Sequence, residues 1–562
     1  MSETAVLVDA GVSGPRRRLL TGNGRPMWSA AVLLAAALVV TPVAAVVIDG
    51  LGSLNSGSLP QDIGPMVVTT VLLMGGVGLS TLLIGGGLAW LVTAHDFPLR
   101  NVLSWALVLP LAMPAYILGF VFLSTFDVGG PVQGMLRTVL GPGAWLPDVR
   151  TLAGAVVVMS LTLYPYVYLL ARSALVEQSA TTYDAARTLG AGRSRALWRV
   201  VVPMARPSLA AALALVMMET LTDFATVQYF NVQTVSVGVY LVWKGSFDFH
   251  AATQLSVLVL VFAVAVLAGE RLLRGRSRFH QKPGRGEGLK SRRLTGWRGW
   301  AAALACLSVL GAGFILPVAQ LAGWAVGEAA GGSEPLLDPR FVEYLVNSVT
   351  VASLAALVCA ALALTIGHAQ RLGGGPLVAV AAQATTFGYA VPGAVIGIGV
   401  LIAFARVDEW LELAGVPGGT GLLVTGSVAG ILCAYVVRFI APAHQAVDAS
   451  FAKISPALTF SALSLGSTPR RLLTRVQLAR RGAAVALVLV AIDAVKELPI
   501  VLLLRPFGFT TISVWVYELA RENFWEKAAL PALGIVAVAV IPVYFLFRRS
   551  AGLKAGAVTH DQ

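Results

Sequence analysis

Long blocks of apolar residues alternate with short polar segments along the whole chain. Blocks long enough to cross a hydrocarbon core of about 30 Å fall near 27–48, 66–93, 102–125, 152–171, 208–230 and 252–270. A second set falls near 300–326, 344–369, 376–404, 421–440, 482–504 and 528–547. The pattern predicts twelve spanning helices in two groups of six. The first block follows Arg16, Arg17 and Arg18. It is longer than the roughly 7–15-residue core of a secretory leader, so it reads as a first span rather than a cleaved signal.

The two groups are copies of one another. "VVTTVLLMGG" (67–76) aligns with "LVNSVTVASL" (345–354), and "MPAYILG" (113–119) aligns with "VPGAVIG" (391–397), both at an offset of 278. Gly190 pairs with Gly466 at an offset of 276, and "TDFATV" pairs with "KELPIV". Between the copies lies a basic, Gly-rich stretch, "RLLRGRSRFHQKPGRGEGLKSRRLTG" (271–296), which reads as a flexible tether. The organisation is therefore a tail (1–26), a first module (27–270), a linker (271–299), a second module (300–549) and a tail (550–562). The fold class is an all-α integral membrane protein. Two tandem six-helix modules, related by a pseudo-two-fold, have a path between them.

Charge sharpens this picture. Thirty-two of the 41 Lys and Arg fall in segments that share one side of the membrane if the spans alternate; eight fall on the other, and Lys496 lies within a span. Lys and Arg resist translocation, so the rich side is the cytoplasm and both termini lie there. The net charge of +13 is thereby explained without nucleic acid. The chain is 57% hydrophobic and 12% charged, against about 25% charged in an average soluble domain. That excludes an ordinary soluble domain. Cys306, Cys359 and Cys433 all sit inside apolar runs and read as small packing residues, not as a disulfide framework or metal cluster.

One polar element stands out between two apolar runs. "SATTYDAARTL" (179–189) looks like a helix start, with Thr181 and Asp184 as a capping box and Ser179 as a rival cap. Gly190 and Gly192 end it, "RSRALWRVVV" (193–202) resumes helically, and Pro203 and Pro207 punctuate the entry to the next span. The expected product is a short helix across the cytoplasmic face, set by a turn against its own span. Asp184-Ala185-Ala186, Gly190, Val200 and Val202-Pro203 stand at the spacings of a known loop. The segment resembles the Glu-Ala-Ala loop of type I permeases of binding-protein-dependent ABC importers, with Asp184 in place of Glu. In that family the loop docks into a groove of the cytoplasmic ATPase. The resemblance therefore implies that Asp184, Ala185, Ala186, Gly190 and Pro203 couple transport to ATP hydrolysis. The second copy, "SPALTFSALSLGSTPRRLLTRVQLAR" (455–480), keeps Ser455 as cap, Pro456 at the first helical position, Ala462 and Gly466. Phe460 stands where the acid belongs and Ala479 where the proline belongs, so the joint is expected to be asymmetric.

Further stretches narrow the resemblance. "LTLYPYVYLLARSAL" (161–175), "METLTDFATVQYFNVQTVSVGVY" (218–240) and "KELPIVLLLRPFGFTTISVWVYELA" (496–520) are similar to the fused two-half permeases of ferric iron importers, over nearly the whole chain. Permeases for thiamine, aminoethylphosphonate and polyamines share much of this architecture. The resemblance implies two ATPase subunits that bind ATP and Mg, a periplasmic substrate-binding protein, and a place in the bacterial inner membrane among its lipids. No cofactor belongs to this chain.

Ionisable groups inside spans are expensive and usually face an interior cavity or one another. Glu219 and Asp223, four apart on one span, and Asp493, Lys496 and Glu497 on the matching span of the second copy are the candidates for a path lining or gate. Carboxylates suit a hard cation; a packing network in which Lys496 pairs with an acid is the plainer alternative. "YPYVY" (164–168) reads as a helix-packing or interfacial aromatic cluster. His95, His250, His368 and His444 show no metal-ligand spacing, and no metal site is assigned. "IGGGLAW" (84–90) and the Gly393/Gly397 pair allow close helix packing. A Walker A loop needs Gly-Lys-Ser/Thr; Lys290 is preceded by Leu289, and no other Lys precedes Ser or Thr. With no H-E-x-x-H or G-x-S-x-G motif either, the chain is expected to be no enzyme. A gradient-driven secondary transporter and a non-transporting scaffold are rival classes, but neither accounts for the loop spacing.

Overall fold

The computed structural model describes residues 25–53, 62–144, 147–177, 188–190, 192–246, 248–274, 292–331, 338–371, 375–420, 426–452, 461, 464–466 and 477–558. Among the described residues the structure is helical apart from two strands of two residues each. Nine helices among them are long and apolar enough to cross a membrane, ten if the bent pair Gly375–Ala390 and Gly393–Leu413 is one span. The chain is an all-α, multi-pass membrane protein. Its last two apolar blocks fall on helices Gln477–Lys496 and Trp525–Val558.

Four of the expected spans, 102–125, 208–230, 376–404 and 482–504, are broken into shorter helices. The block 102–125 becomes a helix at Arg100–Ala106, a 3-10 turn at Leu109–Ala112 and a helix at Ala115–Phe126. Pro110 and Pro114 cannot donate to the helical ladder, so carbonyls upstream of them lose partners. In lipid such groups must be satisfied internally. The Tyr164 hydroxyl donates to the Leu107 carbonyl at 2.8 Å, and the Tyr168 hydroxyl donates to the Ser104 carbonyl at 2.8 Å. Arg172 adds a second donor to Ser104, at 2.9 Å. The "YPYVY" cluster is thus a helix-packing device whose hydroxyls repair a broken neighbour. Its helix, Leu152–Glu177, lies against Ile63–Ala94 at Gly85, where a Cβ would come within 2.7 Å of the Tyr164 carbonyl oxygen.

The duplication is visible in the backbone. The 3-10 turns Leu109–Ala112 and Phe387–Ala390 each precede a proline, Pro114 (φ −57°, ψ 139°) and Pro392 (φ −56°, ψ 142°), that starts the next helix. Thr70 Oγ1 accepts the Val235 N–H at 3.0 Å, and Ser348 Oγ, its mate in the repeat, accepts the Ile512 N–H at 2.8 Å. Both bonds seat the start of a helix, Val235–Leu241 in one copy and Ile512–Arg521 in the other.

The chain divides into two compact units that do not follow the halves of the sequence. One comprises Met1–Ala44, Val351–Ala390 and Leu432–Ala494. Within it the first helix, Arg25–Gly52, packs on second-half helices, with the Trp28 and His368 rings 4.8 Å apart edge to face. The other comprises Ala45–Thr350, Val391–Ile431 and Val495–Gln562. Within it Ala302, Ala303, Cys306 and Leu310 of helix Trp297–Leu310 share a buried cluster with Leu88, Leu107, Tyr164 and Tyr168 of the first half. Of the stretch read as a flexible tether through residue 299, residues 271–274 close helix Phe249–Arg274 and residues 292–299 are described as well. Strand Arg292–Arg293 pairs in parallel with His95–Asp96, and the Leu294 N–H donates to the Asp96 carbonyl at 2.8 Å. The extended backbone just past helix Ile63–Ala94 offers the groups that hold it.

Candidate translocation path and coupling loops

Of the candidate coupling residues, Gly190, Pro203 and Gly466 are described; Asp184, Ala185, Ala186, Ser455 and Ala462 lie outside the described residues. Gly190 has φ +85° and Gly466 φ +79°. Both are in the left-handed region, where a Cβ clashes with the backbone and glycine is the default. Each is preceded by an outward-facing leucine, Leu189 and Leu465, both 87% exposed. The repeat therefore preserves a turn and an apolar tip in both copies, although the acid is present in only one.

Beyond Gly190 the structure departs from the sequence reading. Pro203 and Pro207 do not separate a short helix from its span. Arg193–Ala196 leads through a π-helical stretch, Leu197–Val201, directly into Val202–Thr222. A wider turn removes the need for the bond that a proline N–H would have made, so the helix passes Pro203 without a break.

The path candidates sit at two matched helix breaks. Helix Val202–Thr222 ends at Asp223, whose N–H donates to the Glu219 carbonyl at 3.1 Å. Asp223 therefore terminates the helix instead of sharing a face with Glu219. Its carboxylate turns forward and accepts the Thr226 N–H at 2.9 Å and the Thr226 hydroxyl, seating helix Ala225–Tyr229. In the second copy helix Gln477–Lys496 ends before Glu497, and Pro499–Leu504 follows. Asp493 and Lys496 belong to the last two turns of the first of these helices. Ser236 donates to the Leu221 carbonyl, and Ser513 to the Glu497 carbonyl at 3.0 Å. Each break is thus tied down by a serine from the first turn of the next long element.

Tyr116 is the residue that sequence reasoning missed. Its hydroxyl is buried, and no described residue hydrogen-bonds to it. Asp223 and Glu497, one from each copy, both act electrostatically on it. The two breaks therefore converge on one phenol. Hydropathy counts a tyrosine within an apolar run as apolar, so nothing in that run singled it out. Beside it lies an aromatic plug. Phe224 stacks on Tyr240 at 4.5 Å and meets Tyr517 edge-on at 6.1 Å, and Tyr229 lies 5.8 Å from Tyr517. The Tyr517 hydroxyl donates to Gln228 Oε1 at 2.6 Å, and the Tyr229 hydroxyl donates to the Tyr517 carbonyl at 3.3 Å. All four rings are buried, with Glu497 buried and Asp223 half-buried. Among the described residues no group of three or more His, Cys, Asp or Glu is placed to hold a metal ion.

Residues 81–272, which contain the first candidate coupling loop and the first helix break, match the family of binding-protein-dependent transport system inner membrane components. An ABC-importer permease function is supported. The Fe(3+)-transport system permease protein FbpB 2 of Haemophilus influenzae is 24% identical to the permease over 492 residues, 86% of this chain and 89% of that one. The sulfate transport system permease protein CysT of Escherichia coli is 28% identical over 200 residues, 34% of this chain and 68% of that one. The molybdenum transport system permease protein ModB of Azotobacter vinelandii is 33% identical over 160 residues, 28% and 66% of the two chains. The match and the apolar helices together support a multi-pass transport subunit embedded in the bacterial inner membrane.

Proposed function

We propose that the permease carries ferric iron, handed over by a periplasmic binding protein and driven by two ATPase subunits docked at the turns around Gly190 and Gly466. The observation that carries the cargo is coverage: the Fe(3+) relative matches across both copies, whereas the sulfate and molybdenum relatives match about a third of the chain. The carboxylates at Asp223 and Glu497 support it, since oxygen ligands of high charge suit a hard cation. In this reading the two copies are fused six-helix modules with twelve spans, the termini are cytoplasmic, and the chain forms the whole pore. Asp184, Ala185, Ala186, Pro203, Ser455 and Ala462 complete the two coupling loops. Glu219, Asp493 and Lys496 line or gate the path next to the breaks.

The test is uptake of labelled ferric iron by cells with and without the chain, run beside sulfate, molybdate, thiamine, aminoethylphosphonate and a polyamine. Loss of iron uptake alone is the expected result. Intact iron uptake with loss of another solute would replace the cargo and keep the permease.

A further inference from the structure

A half-open cavity of about 310 Å³ lies beside the aromatic plug, lined by Arg150, Gln228, Asn231, Arg521 and Asn523 among others, with no Asp or Glu in its wall. Arg150 is already matched by Asp127, 2.8 Å away. Arg521 is not. No carboxylate among the described residues forms an ion pair with it, and its charge acts on the phenol of Tyr517. The cavity therefore holds a net positive charge supplied by one guanidinium.

The two asparagines strengthen the case. Asn231 (φ 54°) and Asn523 (φ 64°) are both in the left-handed region. Each closes a four-residue turn, onto the Gln228 carbonyl at 3.0 Å and the Ala520 carbonyl at 3.1 Å. Asparagine and aspartate both enter this region more readily than other residues with a side chain. Aspartate would have neutralised the cavity. At both positions the residue is the neutral one, which keeps the charge and adds amide donors beside the guanidinium.

We propose that this cavity is an anion site taking a small oxyanion of the phosphate or sulfate class. A planar guanidinium matches two oxygens of such an anion, and the carboxamides of Asn231 and Asn523 supply the remaining donors. Through Arg521, Tyr517 and Gln228 the site adjoins the plug. The site does not depend on the cargo proposed above.

The experiment is equilibrium dialysis of radiolabelled phosphate and of radiolabelled sulfate against the full-length chain in lipid nanodiscs, with sodium chloride added at matched ionic strength. Saturable binding of either oxyanion that chloride does not displace is the expected result. Arg521→Gln weakens it by about ten-fold or more, the loss of one charge-assisted bond, and Arg521→Lys by less. Asn523→Gly keeps the left-handed turn, removes the carboxamide and weakens binding a few-fold; it decides the matter if Arg521→Gln fails to fold. Arg137→Gln, on an exposed helix face, leaves binding unchanged. Absence of saturable binding, displacement by chloride, or binding equal in Arg521→Gln and Asn523→Gly to the parent would overturn the proposal. Ferric uptake is not read, so failure of the iron assignment leaves this result standing.

Discussion

The hydroxyl of Tyr164 shows how much one atom can carry in lipid. It satisfies the Leu107 carbonyl at a site where Pro110 has removed the helical donor. Tyr164→Phe keeps the ring and leaves a buried acceptor unmet, at a cost of about 1–3 kcal/mol. The expected outcome is a lower unfolding midpoint in detergent, with expression preserved; an unchanged midpoint would mean that another donor replaces it. Gly190 carries a different constraint. At φ +85° a β-branched side chain is strained by roughly 1–3 kcal/mol, whereas asparagine tolerates this region. Gly190→Val should therefore stop uptake at normal expression while ATP hydrolysis by the assembled importer continues, and Gly190→Asn should retain much of both. Transport by Gly190→Val at the parent rate would remove the turn from the coupling mechanism.

Among elements, close approach decides which helices pair. At Gly85 a Cβ meets the Tyr164 carbonyl and the Tyr168 nitrogen at 2.7 and 2.9 Å, and backbone cannot step aside as a flexible side chain can. Gly85→Val should separate Ile63–Ala94 from Leu152–Glu177, costing about 1–3 kcal/mol of overpacking strain. A thermal melt in nanodiscs reads this directly. Gly86→Val, where an added Cβ touches nothing, is the control that should melt like the parent. The run "IGGGLAW" signalled close packing in the sequence, but three glycines in a row left open which one makes the contact. The apolar blocks, the offset of the repeat and the two glycine turns were equally legible, because length, periodicity and backbone conformation are local properties. The helix breaks were less so. Window hydropathy averages over Asp223 and Glu497, and the bonds that stabilise each break come from Thr70, Ser236, Ser348 and Ser513, which are distant in sequence or look like ordinary helix residues.

For the whole molecule, the compact units trade helices between the halves of the sequence. Periodicity gives the face a helix buries but not its partner, so this exchange was not legible. Its consequence is measurable. A first half ending at Arg274 lacks the helix that carries Ala302, Ala303 and Cys306 into the cluster around Tyr164 and Tyr168. A second half starting at Arg292 lacks the helix whose Trp28 meets His368. Each half expressed alone should be degraded, and the two expressed together should co-purify and recover uptake. Two halves that are separately stable would show that the exchanged helices contribute little.

The lock on the aromatic plug has a genetic meaning. Tyr240 and Tyr517 are mates in the repeat, yet among the described residues only Tyr517 finds an amide acceptor, at Gln228. The counterpart of Gln228 in the alignment of "TDFATV" with "KELPIV" is Leu502, which has no polar atom to offer. In a pore assembled from two identical chains every substitution is written twice, so a one-sided latch is out of reach. Joining the copies in one reading frame fixes their ratio and lets each diverge. Under the proposed function, selection can then tune the opening of the plug at a single codon, without disturbing the mirror position.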